Sequence, residues 1–403
     1  MPAKKPYKYL IVGAGTTANA AIEGIRETDR TGAIALFGEE KYLPYDRPPL
    51  TKKLWFGKMK EEQVFFHNWK FYEDNNVELM LGTTIISVDP VRKVATDQAG
   101  ASHYYDKLLL ATGGSPRKLS IPGGNLDGIC YYRYLDDYQR IKTMATEGKS
   151  AVVIGGGFIG SEIAAALTIN KVKATMLFPE TYLCNRVLPS ELAETIQAQY
   201  IKKGVQILNN DRPTSISMNG EQFVTQTEKG TKLVSDILIV GIGIEPETKL
   251  AKTANLKVNN GIVVNEYLKT SSPDIYAAGD NANFPCRALN KELRFEHWDN
   301  ALIQGKLVGR NMAGANEPYN HLPYFFSDLF EFGYEAVGEL DPSMEIYSYW
   351  KEENKKGIIY YVDDSKVRGV MLCNVWEKVD AARTLIIRNQ DVTEGELRGA
   401  IGF

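Results

Sequence analysis

The sequence predicts an α/β protein in which two parallel-sheet units, each opened by a glycine-rich turn, are joined to a smaller α+β region. Three observations carry this. The stretch "YKYLIVGAGTTANAAIEGI" near the start reads as a buried strand running through glycines into an apolar helix. "AVVIGGGFIGSEIAAAL", residues 151–167, repeats the design. From about residue 321 apolar and polar residues alternate in "MEIYSYW", "KGIIYYVDD" and "KVRGVMLCNVW", which is the period of antiparallel strands, and a helical stretch follows around Asp380 to Ile387. At 403 residues the chain exceeds what one hydrophobic core serves, so two or three domains are expected.

The first turn is Gly13-Ala14-Gly15-Thr16-Thr17-Ala18 after the apolar run Tyr9 to Val12, the pattern G-x-G-x-x-A. The first glycine permits the tight turn and the second admits a pyrophosphate to the backbone. The small residue at 18 lets helix and strand pack closely, and the helix N-terminus faces the anion. A second strand, Ala33 to Leu36, ends near Glu39, with Glu40 beside it, where a carboxylate can accept from a ribose 2′-hydroxyl. These are the marks of a Rossmann-like dinucleotide-binding domain.

The second turn uses Gly155, Gly157 and Gly160, and its following strand "ATMLFPE" ends at Glu180. An acid there favours NADH because it repels the 2′-phosphate of NADPH, whereas Arg186 is a counter-signal able to receive that phosphate. A third element, "SPDIYAAGDNANF", runs a strand from Ile275 to Ala278 into Gly279-Asp280. Asp280 can hydrogen-bond a polyol chain, or cap the following segment, while a helix expected next meets phosphate. A nucleotide site built from both the start of the chain and residue 280 means that the first domain is interrupted by the second.

Composition narrows the function. With 44% hydrophobic and 24% charged residues the chain is ordinary for a globular protein, and a net charge of −3 gives no reason to expect nucleic acid. No apolar run reaches the roughly 18 residues needed to span a bilayer. "MPAKKPYKYL" moves straight into the first strand, so no signal peptide and a cytoplasmic location are expected. Cys130, Cys184, Cys286 and Cys373 form no CxxC or CxxxxC pair, so neither a redox dithiol nor a metal site is expected.

The order of "GAGTTA", "ATGGSP", "GGGFIGSE", "GIGIEPE" and "AAGD" resembles the two-dinucleotide flavoprotein reductases, with FAD first and NAD second. "LPYDRPPLTKKLWF" occupies the place where disulfide reductases of this superfamily carry redox cysteines, and is similar instead to ferredoxin reductases and apoptosis-inducing factors. "FEHWDNALIQGKLVGRNMAGANEPY" and "FFSDLFEFGYEAVG" favour the latter. The resemblance covers essentially the whole chain. It implies an FAD-binding domain made of residues 1–122 and 245–320, an NAD-binding domain at 123–244, and a C-terminal α+β domain at 321–403.

The resemblance also implies the site. Gly13, Ala14, Gly15, Thr16, Thr17, Glu39, Arg47, Lys52, Ile85, Arg133, Asp280 and His297 would line the FAD, with Glu40 alongside. Gly157, Phe158, Ile159, Gly160, Glu162, Glu180, Gly243, Glu296 and Glu335 would serve the nicotinamide nucleotide, and Arg186 stands near its ribose. Arg47 and Arg133 can neutralise pyrophosphate. Phe158 could cover the nicotinamide or simply fill a core. Phe326 stands where the family often has a tryptophan near the isoalloxazine, and Trp298 lies in "EHWDNA", which is richer in histidine in the mitochondrial relatives.

Glu162 is expected in the first turn of the second helix, where the dipole favours a negative charge, with Lys52 as its partner beside the flavin. The implied activity is an NADH-dependent FAD oxidoreductase passing electrons to a quinone or other small acceptor. The alternatives are a reductase for an iron–sulfur carrier such as ferredoxin or rubredoxin, and an NADH-sensing flavoprotein with low turnover. A homodimer is open. Set beside the mitochondrial relatives, neither their long regulatory loop nor their targeting and anchoring region is expected here.

Overall fold

A computed structural model describes residues 6–403. The first five residues, part of the N-terminal stretch read above as leaderless, lie outside the described residues. The chain divides into two compact units: the first holds the residues up to Asp46, Glu62–Ser115 and Glu245–Pro323, and the second holds Arg47–Glu61, Pro116–Ile244 and Tyr324–Phe403.

In the first unit five strands run parallel in the spatial order Val77–Leu81, Ile34–Gly38, Tyr7–Val12, Ser102–Leu110 and Ile275–Ala277. Ser102–Leu110 serves two sheets. Its first residues pair antiparallel with Val94–Asp97, which in turn pairs with Ile85–Asp89. Its last three, Leu108 to Leu110, are wholly buried in the parallel sheet, where both faces are covered and alternation gives way to a continuous apolar run. The helix Thr16–Thr28 packs on the helix Trp298–Met312 with the two backbones in near contact. A Cβ on Gly24 would lie 2.1 Å from the Lys306 carbonyl oxygen, and one on Gly309 would lie 2.2 Å from that of Ala21.

The residues after Asp280 correct one expectation. No α-helix follows directly; Ala282–Cys286 is a strand paired with Lys291–Leu293 and Ile262–Val263, a single 3-10 turn spans Arg287–Leu289, and the next α-helix begins at Trp298. The Asn281 side chain fastens the chain here, donating to the Leu110 carbonyl and to Thr112 Oγ1, while its own carbonyl accepts from Ile262. Pro285 then disfavours a helix, having no N–H to give.

In the second unit a parallel sheet runs in the order Gln206–Leu208, Lys173–Leu177, Ser150–Ile154, Ile237–Val240. The antiparallel meander Pro213–Asn219, Gln222–Thr227, Lys232–Ser235 packs over it through Ile216 and Phe223 against Val152, Ile154, Leu177, Leu238 and Val240. The C-terminal sheet is antiparallel in the order Tyr324–Leu329, Phe332–Gly338, Lys366–Cys373, Lys356–Asp363, Glu345–Glu352, with the helix Val379–Arg388 against its second and third strands. Its central strands depart from the alternation read in the sequence. Gly357 to Val362 are all buried, so tyrosines 360 and 361 point to opposite covered faces and each buries its ring. The α/β class with two nucleotide-type sheets and a C-terminal α+β region holds. Among the described residues no helix is long and apolar enough to cross a membrane.

Candidate functional site

In the first unit, the strand Tyr7–Val12 ends at Gly13, whose φ of 111° and whose Cβ position 2.1 Å from the Ala111 carbonyl oxygen admit only glycine. Gly15 is different: it caps the helix Thr16–Thr28 with φ −99°, and a Cβ there would meet nothing within 4 Å. No side chain caps this helix and no acid stands in its first turn. The first N–H groups therefore face an open space suited to an anion. Ala14 and Thr16 are half-buried, and Thr17 is buried against Gly279.

The surroundings fit a polar ligand. Asn281 Oδ1, Gln304 Nε2 and Trp298 Nε1 are buried without a protein partner, as polar atoms that meet a bound group or an ordered water would be. Gln304 spends its oxygen on the Gly279 N–H at 2.8 Å. Glu40 accepts from the Tyr45 hydroxyl at 2.7 Å, whereas Glu39 stands exposed one residue beyond the strand Ile34–Gly38. Asp280 is half-buried, its carbonyl held by Arg294 at 2.9 Å, and the same arginine pairs with Glu296 at 2.6 Å. Ile85 is buried at the start of its strand. Burial pushes the His297 imidazole down to about 4 against the opposing pull of Asp280 and Asp299, so the ring is neutral at physiological pH.

The second turn repeats the geometry. Gly155 has φ 122° and a Cβ position 2.3 Å from the Gly241 carbonyl oxygen, and a Cβ on Gly160 would lie 2.1 Å from the Gly155 carbonyl oxygen. Gly157 caps the helix Phe158–Ile169 and, like Gly15, opens on nothing within 4 Å. Phe158 is half-buried, with ring centres 5.5 Å from Phe325 and 6.3 Å from Tyr334, and Ile159 is exposed. Gly243 is exposed with φ 96°. Glu180 lies past the strand Lys173–Leu177 and is held by Arg186 at 3.0 Å, so the acid and the counter-signal form one ion pair, with Arg186 almost fully exposed.

Glu162 lies in the second turn of its helix, not the first, so the dipole does little to hold its charge. Three residues from two other stretches of the second unit surround it instead. Thr51 Oγ1 and Ser327 Oγ each donate at 2.6 Å, one to each carboxylate oxygen, and Lys52 Nζ lies 3.3 Å from Oε1. The carboxylate is 6% exposed, so these donors replace its water. Lys52 in turn touches the Phe326 carbonyl at 3.5 Å, Asp328 at 3.7 Å, and the face of the Phe326 ring at 4.2 Å. Thr51 and Ser327 escaped the sequence reading, although each adjoins a residue it singled out.

Other predicted residues gather in the same unit. Arg47 lies 5.5 Å over the ring of Tyr134, the neighbour of Arg133, whose N–H donates to Asp137 at the start of the helix Leu135–Met144. Glu335 pairs with Phe326 across adjacent strands. Burial raises its carboxyl above the usual range, partly offset by Arg383, and its Oε2 is buried without a partner. The four cysteines are buried and form no disulfide, and burial pushes the thiols of Cys130 and Cys184 up to about 12, far from the thiolate form.

Residues 7–305 match the family model for pyridine nucleotide-disulphide oxidoreductases, and residues 308–355 match the C-terminal region of mitochondrion-associated apoptosis-inducing factors. The chain is 32% identical to apoptosis-inducing factor 1, mitochondrial, of Dictyostelium discoideum, over 98% of this chain and 81% of the relative. It is 33% identical to rubredoxin-NAD(+) reductase of Pseudomonas putida, over 97% of this chain and 98% of the relative. Putidaredoxin reductase, solved in a covalent complex with putidaredoxin, superposes with a TM-score of 0.91 at 29% identity, covering 96% and 95% of the two chains. By these matches this chain belongs to the pyridine nucleotide-disulphide oxidoreductase family and is an FAD-dependent NAD(P)H oxidoreductase of its apoptosis-inducing-factor-like branch.

Proposed function

We propose that the protein oxidises NADH and delivers the electrons to a quinone or another small acceptor. The observation that carries this reading is the Lys52–Glu162 pair, caged by two hydroxyls on the helix that the second glycine turn opens. Bound FAD supplies a ring able to take two electrons from the nicotinamide and release them singly or together. The chain's own residues do the placing. The Gly13–Thr17 turn binds one dinucleotide and Gly157 to Gly160 the other, with Arg47 and Arg133 as candidates for pyrophosphate charge. Thr51 and Ser327 fix Glu162, Glu162 fixes the Lys52 ammonium, and that ammonium would supply the positive charge that tunes a bound flavin. Glu335, uncharged more readily than an ordinary carboxylate, can donate a hydrogen bond from its buried oxygen.

Non-covalent FAD is expected in the purified protein. Denaturation should release it intact, and recovery of FMN, or no flavin after reconstitution, would remove the reading of the first turn. NADH is expected to be preferred because Glu180 holds Arg186 and presents a carboxylate to the ribose. Replacing Glu180 with glutamine removes the repulsion and releases the cation together. The ratio of kcat/KM for NADH over NADPH should fall about tenfold, on the order of one lost charge contact. A ratio unmoved by the substitution would show that this carboxylate does not meet the ribose.

A second reading has its own support. The rubredoxin-NAD(+) reductase relative matches over nearly its full length, so an iron–sulfur carrier is a direct alternative acceptor. Anaerobic titration with NADH followed by a panel of quinones, rubredoxin and ferredoxin separates the two. Fast reoxidation by a quinone supports the first reading, fast reoxidation by the carrier alone supports the second, and a reduced complex that persists against both points to a sensor.

A further inference from the structure

The segment Phe178 to Pro189 carries both charges of the nucleotide reading, and its two halves are held by different parts of the second unit. The first half is tied to its own parallel-sheet layer. Phe178 donates its N–H to the Leu208 carbonyl at 3.2 Å, Asn210 donates to the Glu180 carbonyl at 3.1 Å, and Asn209 Nδ2 to the Thr181 carbonyl at 2.6 Å. The second half, with Arg186, is tied elsewhere. Cys184, in the left-handed region with φ 53°, donates to the carbonyl of Gly156, the middle glycine of the second turn, at 2.8 Å. Val187 and Leu188 turn their N–H groups back on Cys184, and the Val187 carbonyl accepts from the hydroxyl of Tyr361 at 2.6 Å. Tyr361 is fully buried in the strand Lys356–Asp363 of the C-terminal sheet.

The Arg186–Glu180 pair is too exposed to hold itself, since such pairs contribute little once side-chain entropy and screening are counted. What keeps Arg186 on Glu180 is the position of the backbone beneath it, and Tyr361 is rooted in a packed sheet. We propose that Tyr361 is a specificity-determining positioning residue. By fixing the Val187 carbonyl it holds Arg186 against Glu180 and away from a 2′-phosphate, so that the C-terminal sheet takes part in the choice between NADH and NADPH. The proposal rests on the reading of Glu180 as the ribose-side acid.

Tyr361→Phe removes the hydroxyl and leaves the ring. The Val187 carbonyl then lacks its partner and recovers one by turning toward water, which moves its neighbour Arg186. The ratio of kcat/KM for NADH over NADPH is expected to fall about fivefold, the scale of one buried hydrogen bond left unmade. The change should lie in the KM values, with the flavin absorption spectrum unmoved. In an Arg186→Ala background the same substitution should leave the ratio alone, because the residue through which Tyr361 acts is gone. Tyr360→Phe, which loses a hydroxyl bonded to the Ile401 backbone, serves as the control and should not move the ratio. If Tyr361→Phe does not accumulate as a folded holoprotein, Val187→Gly loosens the same carbonyl and should shift the ratio in the same direction. An unchanged ratio in the folded variant, or an equal shift with and without Arg186, overturns the proposal. A parent protein that prefers NADPH, or a Glu180→Gln ratio equal to the parent's, overturns the Glu180 reading. Tyr361 is judged separately, by whether its own substitution moves the ratio.

Discussion

Glu162→Ala is expected to slow reduction of the flavin by NADH at least about tenfold, and to destabilise the second unit by about 3–5 kcal/mol, the cost of breaking one side of a buried pair. The substitution takes one acceptor from three donors at once: the hydroxyls of Thr51 and Ser327 and the ammonium of Lys52. Both hydroxyls can turn toward other acceptors. The ammonium keeps its contacts to the Phe326 carbonyl and ring and to Asp328, but loses its buried counter-charge. Glu162→Gln separates the two effects, since its amide oxygen still accepts from one hydroxyl while the charge is gone. Stability should then largely recover, and the flavin spectrum and reduction rate should not. Lys52→Ala should perturb the same observables, and the double variant should fall short of additivity because one interaction is removed twice. Stopped-flow reduction and chemical denaturation of the parent and these four variants decide it. Strictly additive effects, or a flavin spectrum unchanged in both single variants, would show that the pair does not act on the flavin.

The glycines of the second turn should divide cleanly between folding and binding. Gly155→Ala places a Cβ 2.3 Å from a backbone oxygen at φ 122°, where no flexible side chain can give way. Left-handed strain of about 1–2 kcal/mol and overpacking of about 1–3 kcal/mol add to a loss of about 2–5 kcal/mol. Gly157→Ala meets nothing, at a φ of −84° open to any residue, so the empty protein should keep its stability within about 0.5 kcal/mol. Its methyl group would stand in the space that a pyrophosphate needs. The Kd for NADH should rise at least about tenfold, the effect of one lost charge-assisted hydrogen bond. Thermal denaturation without nucleotide and titration with NADH test the pair. A Gly157→Ala protein that binds NADH normally would remove the second turn from the binding site.

Both glycine turns were legible because their constraint is local: the strand, the positive φ and the helix start sit within a few residues, and only glycine satisfies them. Lys52 and Glu162 were legible as a pair through resemblance and through the rule that a buried carboxylate needs a partner. The hydroxyls of Thr51 and Ser327 were not, because which of many serines and threonines meets a given carboxylate is decided by packing across 111 and 165 residues of chain. The Tyr361 bond to Val187 spans 174 residues and escaped for the same reason. The C-terminal alternation failed in the central strand because burial on both faces erases the period-2 signal. The helix expected after Asp280 failed because Asn281, bonded to the Leu110 carbonyl and Thr112, is a tertiary anchor that local propensity does not register.

The order in which the chain visits its two units sets conditions on its birth. Each unit is made of three separate stretches, so neither can close while the ribosome is still on the earlier two. The parallel edge of Ser102–Leu110 waits for Ile275–Ala277, which emerges only after the whole second glycine turn and its sheet. At about 5–20 residues per second that wait lasts on the order of ten to thirty seconds. During it, three consecutive leucines on a strand with one unpaired edge are open to any other nascent chain, which is the arrangement that invites edge-to-edge aggregation. A slow translational pause inside the intervening stretch prolongs the hazard, and a holdase that covers the edge shortens it. The yield of this protein in a cell is therefore expected to depend on codon tempo and chaperone supply more steeply than that of a chain whose domains are finished one after another.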